Sequence, residues 1–173
     1  DKPGGIAEAL SLAQRFVGSD KAVVMLADNI FGRSIQPAVA AFERQAGGAR
    51  IVLSKVEQAE HLCHLGVVEF GADRRIGRII EKPEQPPSPY VVTGVYFYGP
   101  DVFDVIPTLE PSGRGELEIT DVNNHYVAGG SMEYDVVDGF WGDAGESIDA
   151  YYAVNDFVRA NGANQLTDRA ARS

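Results

Sequence analysis

What this 173-residue chain lacks narrows what it can be. It has one cysteine, Cys63, so no disulfide framework can form within the chain. No apolar run approaches the roughly 18–20 residues needed to cross a bilayer, and the longest clean one, Ala22 to Ala27, stops at Asp28. The start at Asp1 shows neither an initiator Met nor a basic segment leading into an apolar one, so no signal peptide is visible and the cytoplasm is the expected compartment. Positive charge is scarce: 15 Lys and Arg face 25 Asp and Glu, a net charge of −10. That balance argues against nucleic acid as a partner, because displacing counterions from phosphates takes a basic face. A membrane is not an expected partner either. Also missing are a G-x-x-x-x-G-K-[ST] loop, a G-x-G-x-x-G turn after a strand, and a serine in a nucleophile elbow, which argues against P-loop, dinucleotide-binding and serine-hydrolase chemistry.

What is present fits one globular domain: 45% of residues are hydrophobic and 23% charged, enough to bury a core. The 19 glycines have no period and the nine prolines are densest between Pro83 and Pro89, which excludes collagen-like and Pro-rich linker chains. Ile6, Leu10, Ala13, Phe16 and Val17 recur at helical spacing after Pro3-Gly4-Gly5 and predict a helix closed near Gly18. Ala22 to Leu26 reads as a strand buried on both faces, followed at once by Asp28. A helix over Gln36 to Gln45, with Pro37 in its first turn, leads to a strand over Arg50 to Val56. Gly66 to Phe70 and Ile76 to Glu81 predict a hairpin, and Tyr90 to Tyr98 a further strand. A short helix near Pro100, a longer one over Ile119 to Val127, a strand over Met132 to Val137 and a last helix over Ser147 to Ala160 complete the pattern. The alternation predicts an α/β fold with a mixed, mostly parallel sheet, helices on both faces and an inserted antiparallel hairpin.

Ligands of open α/β sheets bind at the carboxyl ends of strands, so acids there come first. Asp28, in Leu26-Ala27-Asp28-Asn29-Ile30-Phe31, could hold Mg²⁺ while the metal bridges phosphate oxygens, or could cap a turn. Asp143, in Phe140-Trp141-Gly142-Asp143-Ala144-Gly145, fits a ligand loop or an ordinary strand-to-helix turn. Two separated strand-end aspartates together are what a Mg²⁺-nucleotide site requires. Lys82 and Arg114 could each neutralise a phosphate, or could be a surface lysine and a solvated turn. His61, Cys63 and His64 suggest a metal cluster, but no second Cys pair supports zinc.

Several stretches in register carry a resemblance: Pro3-Gly4-Gly5-Ile6-Ala7-Glu8-Ala9, Leu26 to Phe31, Gly66-Val67-Val68-Glu69-Phe70, Ile80-Glu81-Lys82-Pro83, YVVTGVYFY from Tyr90, GRGELEITDVN from Gly113, and Trp141 to Gly145. Together they resemble the sugar-phosphate nucleotidyltransferases, in particular the glucose-1-phosphate thymidylyltransferase group. The resemblance implies a Rossmann-like fold, Mg²⁺ as cofactor, and transfer of a thymidylyl group from dTTP to glucose 1-phosphate, giving dTDP-glucose and pyrophosphate. It implies metal binding by Asp28 and Asp143 and contact of Lys82 and Arg114 with the sugar phosphate. Gly66, Glu81, Gly94 and Tyr96 would line the sugar pocket, with Gly5 and Ile6 beside the nucleobase. It also suggests a homotetramer and a role in polysaccharide synthesis. Two substitutions depart from the pattern: Leu65 stands where an aromatic commonly precedes the Gly-Val-Val run, and Gly142 where a bulkier residue often follows the Trp. The family's Gly-rich N-terminal signature is not in the sequence, so residues 1–160 are expected to be the C-terminal portion of a nucleotidyltransferase domain and 161–173 a polar tail that frays. Uridylyl or guanylyl transfer, or a non-catalytic sugar-phosphate-binding module, are the alternatives.

Overall fold

The strand β6 (Tyr90–Tyr98) is the pivot of the architecture. Its β-branched and aromatic residues suit a pleated surface covered on both sides, and Val91 and Thr93 to Tyr98 are all buried. The computed structural model describes residues 4–166. Around β6 run β1 (Ala22–Met25), β3 (Ala49–Lys55), β4 (Gly66–Phe70), β5 (Ile76–Glu81) and β7 (Met132–Val136). They form a six-stranded sheet of order β5-β4-β6-β3-β7, with β1 also on β6. One edge of β6 is shared: β4 meets it at Val91, and β1 meets it from Val95 to Tyr98. Between Ile51 and Leu53 the β3–β6 register shifts, so β6 carries extra residues around Gly94, and Thr93 Oγ1 donates to the Val52 carbonyl at 2.9 Å. Such irregularities re-aim a strand beside a site.

The expected α/β class and the hairpin β4–β5 hold, but the predominance of parallel pairs does not. Among the described strands β3–β7 is the one parallel pair, while β1, β3 and β4 all run antiparallel to β6. Apolar runs report burial on two faces; they carry no information on direction. The strand β1 also differs from its expected double burial: Val23 and Met25 are 46% and 47% exposed, because β6 is its only partner among the described strands.

Helices cover both faces. On one, α1 (Ile6–Ser11), α5 (Val102–Val105) and α6 (Ile119–Ala128) bring Leu10, Phe103, Val122 and Tyr126 onto Ile51, Leu53, Tyr96 and Tyr98. On the other, α3 (Gln36–Arg44) sets Ala38 and Phe42 against Val52, Val95 and Phe97, with Phe42 and Phe97 ring centroids 5.5 Å apart. Pro37 opens that helix. Lys21 Nζ closes it by donating to the carbonyls of Phe42, Glu43 and Gln45 at 2.8, 3.1 and 2.7 Å, where the helix dipole favours a cation. The helix α7 (Ile148–Asn161) is capped by Ser147 Oγ, which accepts from the Ala150 N–H at 3.0 Å. No helix among the described residues is long and apolar enough to cross a membrane.

A further expectation changes. The single helix over Ile6 to Gly18 is two short ones, α1 and α2 (Gln14–Val17), because the Ala13 N–H bonds back to Leu10 and tightens the turn; Phe16 is 94% exposed. At the start of the tail, the Asn164 and Gln165 N–H groups donate to the Phe31 and Gly32 carbonyls, and Ser34 N–H donates to the Gln165 carbonyl, at 2.8 to 3.0 Å. The rest of the tail and Asp1 to Pro3 lie outside the described residues.

The element that matters most for the site is small. Strands β2 (Asn29–Phe31) and β8 (Trp141–Asp143) form an antiparallel ribbon that pairs Asn29 with Asp143 and Phe31 with Trp141. The Ala144 N–H to the Asp28 carbonyl at 2.8 Å and the Gly32 N–H to the Phe140 carbonyl at 2.8 Å extend it at either end.

Candidate active site

A cavity of about 520 Å³ opens between this ribbon, the irregular stretch of β6 and the start of α6. Gly5, Ile6, Gly66, Glu81, Lys82, Gly94, Tyr96, Arg114 and Asp143 all line it. Residues far apart in the sequence are thus brought to one cavity. Asp28 is not in the lining itself; the ribbon places it directly beside Asp143.

The two aspartates are placed by β2 and β8. A Cβ built on Gly145 would fall 2.6 Å from Asp28 Oδ2 and 3.3 Å from Asp143 Oδ1, so the two carboxylates converge on one point. Asp28 Oδ1 accepts from Asn29 Nδ2 at 2.9 Å and Asp143 Oδ1 from the Gly145 N–H at 2.8 Å. Partial burial pushes the Asp143 carboxyl above its ordinary pKa, and the charges of Asp28 and Glu146 add to that rise, against hydrogen bonds from the Gly145 and Glu146 backbone that lower it. Two converging carboxylates with no ion pair to a cation among the described residues match the hard-oxygen donors Mg²⁺ takes, since that ion is commonly held by one or two carboxylates with phosphate oxygens and water filling the rest. The premise that Asp28 ends a parallel strand does not hold, since β1 is antiparallel to β6. The ribbon, rather than the sheet direction, places it.

Lys82 and Arg114 line the same cavity. Lys82 follows β5 with φ at 47°, a left-handed conformation uncommon for a side-chain-bearing residue, and its N–H donates to the Leu65 carbonyl at 3.0 Å. Arg114 forks onto Glu118, with Nε and Nη2 donating at 2.9 to 3.2 Å, and Nη2 also lies 3.7 Å from Glu81. The hydrogen bond to Glu118 raises the guanidinium pKa further. With Nε and Nη2 occupied, Nη1 is the part of the fork left for an anion. Glu81 Oε2 accepts from Thr120 Oγ1 at 2.7 Å. Tyr96 is held neutral by burial, reinforced by the charges of Glu81, Asp143 and Asp28.

Sequence reasoning missed Asn29, Glu118, Thr120 and Trp141 as site residues. All four sit inside quoted motifs, but nothing in the sequence says that Glu118 holds Arg114 or that Thr120 holds Glu81. His61, on the short helix α4 (Ala59–Leu62), by contrast lines a neighbouring cavity of about 440 Å³ and pairs with Glu146 at 2.9 Å.

The chain is similar to known proteins. The family model described as nucleotidyl transferase matches residues 1–161. A glucose-1-phosphate thymidylyltransferase of Actinoplanes sp. is 39% identical over 162 residues, 92% of this chain and 52% of the relative. The low-salt glycan biosynthesis nucleotidyltransferase Agl11 of Haloferax volcanii is 38% identical over 148 residues, 85% of this chain and 41% of the relative. The chain therefore spans about half the length of the curated relatives it matches. A crystal structure described as a glucose-1-phosphate thymidylyltransferase from Bacillus anthracis in complex with sucrose superposes with a TM-score of 0.83 at 45% identity, covering 92% of this chain and 63% of that one. A UDP-glucose pyrophosphorylase in complex with UDP-glucose has a TM-score of 0.80 at 22% identity over 92% of this chain and 64% of that one, a likeness of fold.

Proposed function

This chain belongs to the nucleotidyl transferase family, and from that premise we propose that the whole protein transfers a thymidylyl group from dTTP to glucose 1-phosphate. The observation that carries the reading is the composition of one cavity, which Lys82, Arg114 and Asp143 line together, with the Asp28 carboxylate converging on that of Asp143. The identity to glucose-1-phosphate thymidylyltransferases supports the choice of substrates.

Asp28 and Asp143 would hold Mg²⁺, which when bound supplies charge neutralisation on the phosphate oxygens. Lys82 and the free side of Arg114 receive the sugar phosphate and hold one of its oxygens toward the α-phosphorus. That oxygen attacks, the new P–O bond forms, and the bond from the α-phosphorus to the bridging oxygen breaks, so pyrophosphate leaves with its electron pair. A phosphate monoester is already largely dianionic at neutral pH. No side chain therefore has to remove a proton, and catalysis is positioning plus charge neutralisation. Glu118 sets the plane of Arg114, and Thr120 fixes Glu81 beside the sugar. Buried, neutral Tyr96 and the bare backbone at Gly94 shape the wall against which the hexose packs. The same reading carries a homotetramer, a cytoplasmic location and delivery of the activated sugar to glycan synthesis as proposals.

Pyrophosphate release by the full-length protein tests the reading. With glucose 1-phosphate and Mg²⁺, dTTP should be used in preference to UTP, CTP and GTP, and chelation of the metal should stop turnover. Preference for UTP or GTP would move the activity to uridylyl or guanylyl transfer. Sugar-phosphate binding indifferent to both metal and nucleotide, without turnover, would overturn it in favour of a binding module.

A further inference from the structure

Asn29 is 1% exposed and joins three parts of the site. Its Oδ1 accepts from the Gly94 N–H at 2.7 Å and from Trp141 Nε1–H at 2.8 Å, while its Nδ2 donates to Asp28 Oδ1 at 2.9 Å. Two of these bonds bridge 65 and 112 positions of sequence, so the residue is no local turn cap. A buried amide costs free energy unless its groups are paired, and here the pairing partners are the acceptor wall, the ribbon and a metal carboxylate. Strand β6 is bare where it meets this amide: a Cβ on Gly94 would fall 2.6 Å from Asn29 Nδ2 and 2.7 Å from its Cγ.

We infer that Asn29 is a positioning residue for the metal carboxylate. Held from behind by Gly94 and Trp141, its amide fixes Asp28 Oδ1 and thereby turns Oδ2 toward the point that Asp143 shares. The inference rests on the Mg²⁺ assignment above and gives Asn29 no role as a ligand. It also couples the acceptor wall to the metal: whatever shifts β6 at Gly94 shifts Asp28 through one side chain.

Mn²⁺ is the probe, and the paramagnetic resonance signal of the free ion reads its binding to the full-length protein without any turnover. Asn29→Ala should weaken Mn²⁺ binding by roughly 10-fold or more, the usual cost of removing a group that orients a ligating side chain. Gly94→Ala displaces the amide without deleting a polar group, and should weaken Mn²⁺ binding in the same direction even if Asn29→Ala does not fold. Trp141→Phe removes one of the two donors that hold the amide and leaves the Asn29–Asp28 bond, so it should weaken Mn²⁺ binding by less than Asn29→Ala does. Wild-type affinity in folded Asn29→Ala or in Gly94→Ala, alongside loss of binding in Asp28→Asn and Asp143→Asn, would overturn the inference and leave the metal assignment standing. Wild-type affinity in the two aspartate variants would instead remove the metal assignment, and the inference with it.

Discussion

The six-stranded sheet and the β2–β8 ribbon meet at the same cavity, yet they are stabilised in opposite ways. Around β6 the contacts are complete without any ligand: Val95, Phe97 and Tyr98 are buried, Tyr98 Oη donates to Asn123 Oδ1 at 2.7 Å, and Phe42 packs on Phe97. The ribbon is only three residues long on each side and brings the Asp28 and Asp143 carboxylates together, and burial there opposes ionisation of Asp143. The sheet supplies stability and a fixed wall; the ribbon carries charge that a bound cation would relieve. Stability and chemistry should therefore separate when each region is perturbed.

The largest separation is expected in the ribbon. Asp143→Asn and Asp28→Asn should each lower turnover by about 10²-fold or more, since a metal's charge stabilisation is worth several kcal/mol and about 1.4 kcal/mol is tenfold, while leaving the folded state intact by thermal melting. A parallel fall in melting temperature and activity would erase the contrast between the regions. Next comes the sheet: Phe97→Ala should cost about 3–5 kcal/mol of stability through the cavity it leaves, measured by denaturant titration, with turnover per folded molecule unchanged.

A smaller effect links the two regions through pH. The Asp143 pKa is raised in the folded protein above the ordinary 3.8, so the folded state binds this proton more tightly than the unfolded chain does. Its contribution is present at low pH and is lost as pH rises through the folded value. Without divalent cations, Asp143→Asn should therefore melt at or above wild type at neutral pH, and the gap should close as pH is lowered toward 3.8. A gap that widens on acidification would show that Asp143 is a stabilising acid. Smallest of all, Arg78→Ala removes an exposed ion pair with Glu69 on the β4–β5 hairpin and should change stability by less than about 1 kcal/mol, with no change in turnover.

The same two regions differ in how far the sequence discloses them. Long apolar or β-rich segments such as Tyr90 to Tyr98 and Arg50 to Val56 mark the strands of the sheet, though not their direction, because hydrophobicity records burial and only tertiary pairing sets orientation. Three-residue strands have too little length for any period, so the ribbon is invisible in the sequence while the two aspartates it joins are not. Asp28, Asp143, Lys82 and Arg114 are legible as candidates from their chemistry and from the family resemblance. Asn29 is not, because Asp-Asn reads as a turn while its bonds reach Gly94 and Trp141. Phe16 shows the opposite limit: its helical spacing promises burial, but no described element covers it.

Anomalous scattering from crystals of the full-length protein grown with Mn²⁺ and glucose 1-phosphate tests the central claim most directly. The account predicts one peak between Asp28 and Asp143, with the sugar phosphate held by Lys82 and Arg114 in the same cavity. A bound sugar phosphate with the metal peak elsewhere, or with none at the two aspartates, would contradict it.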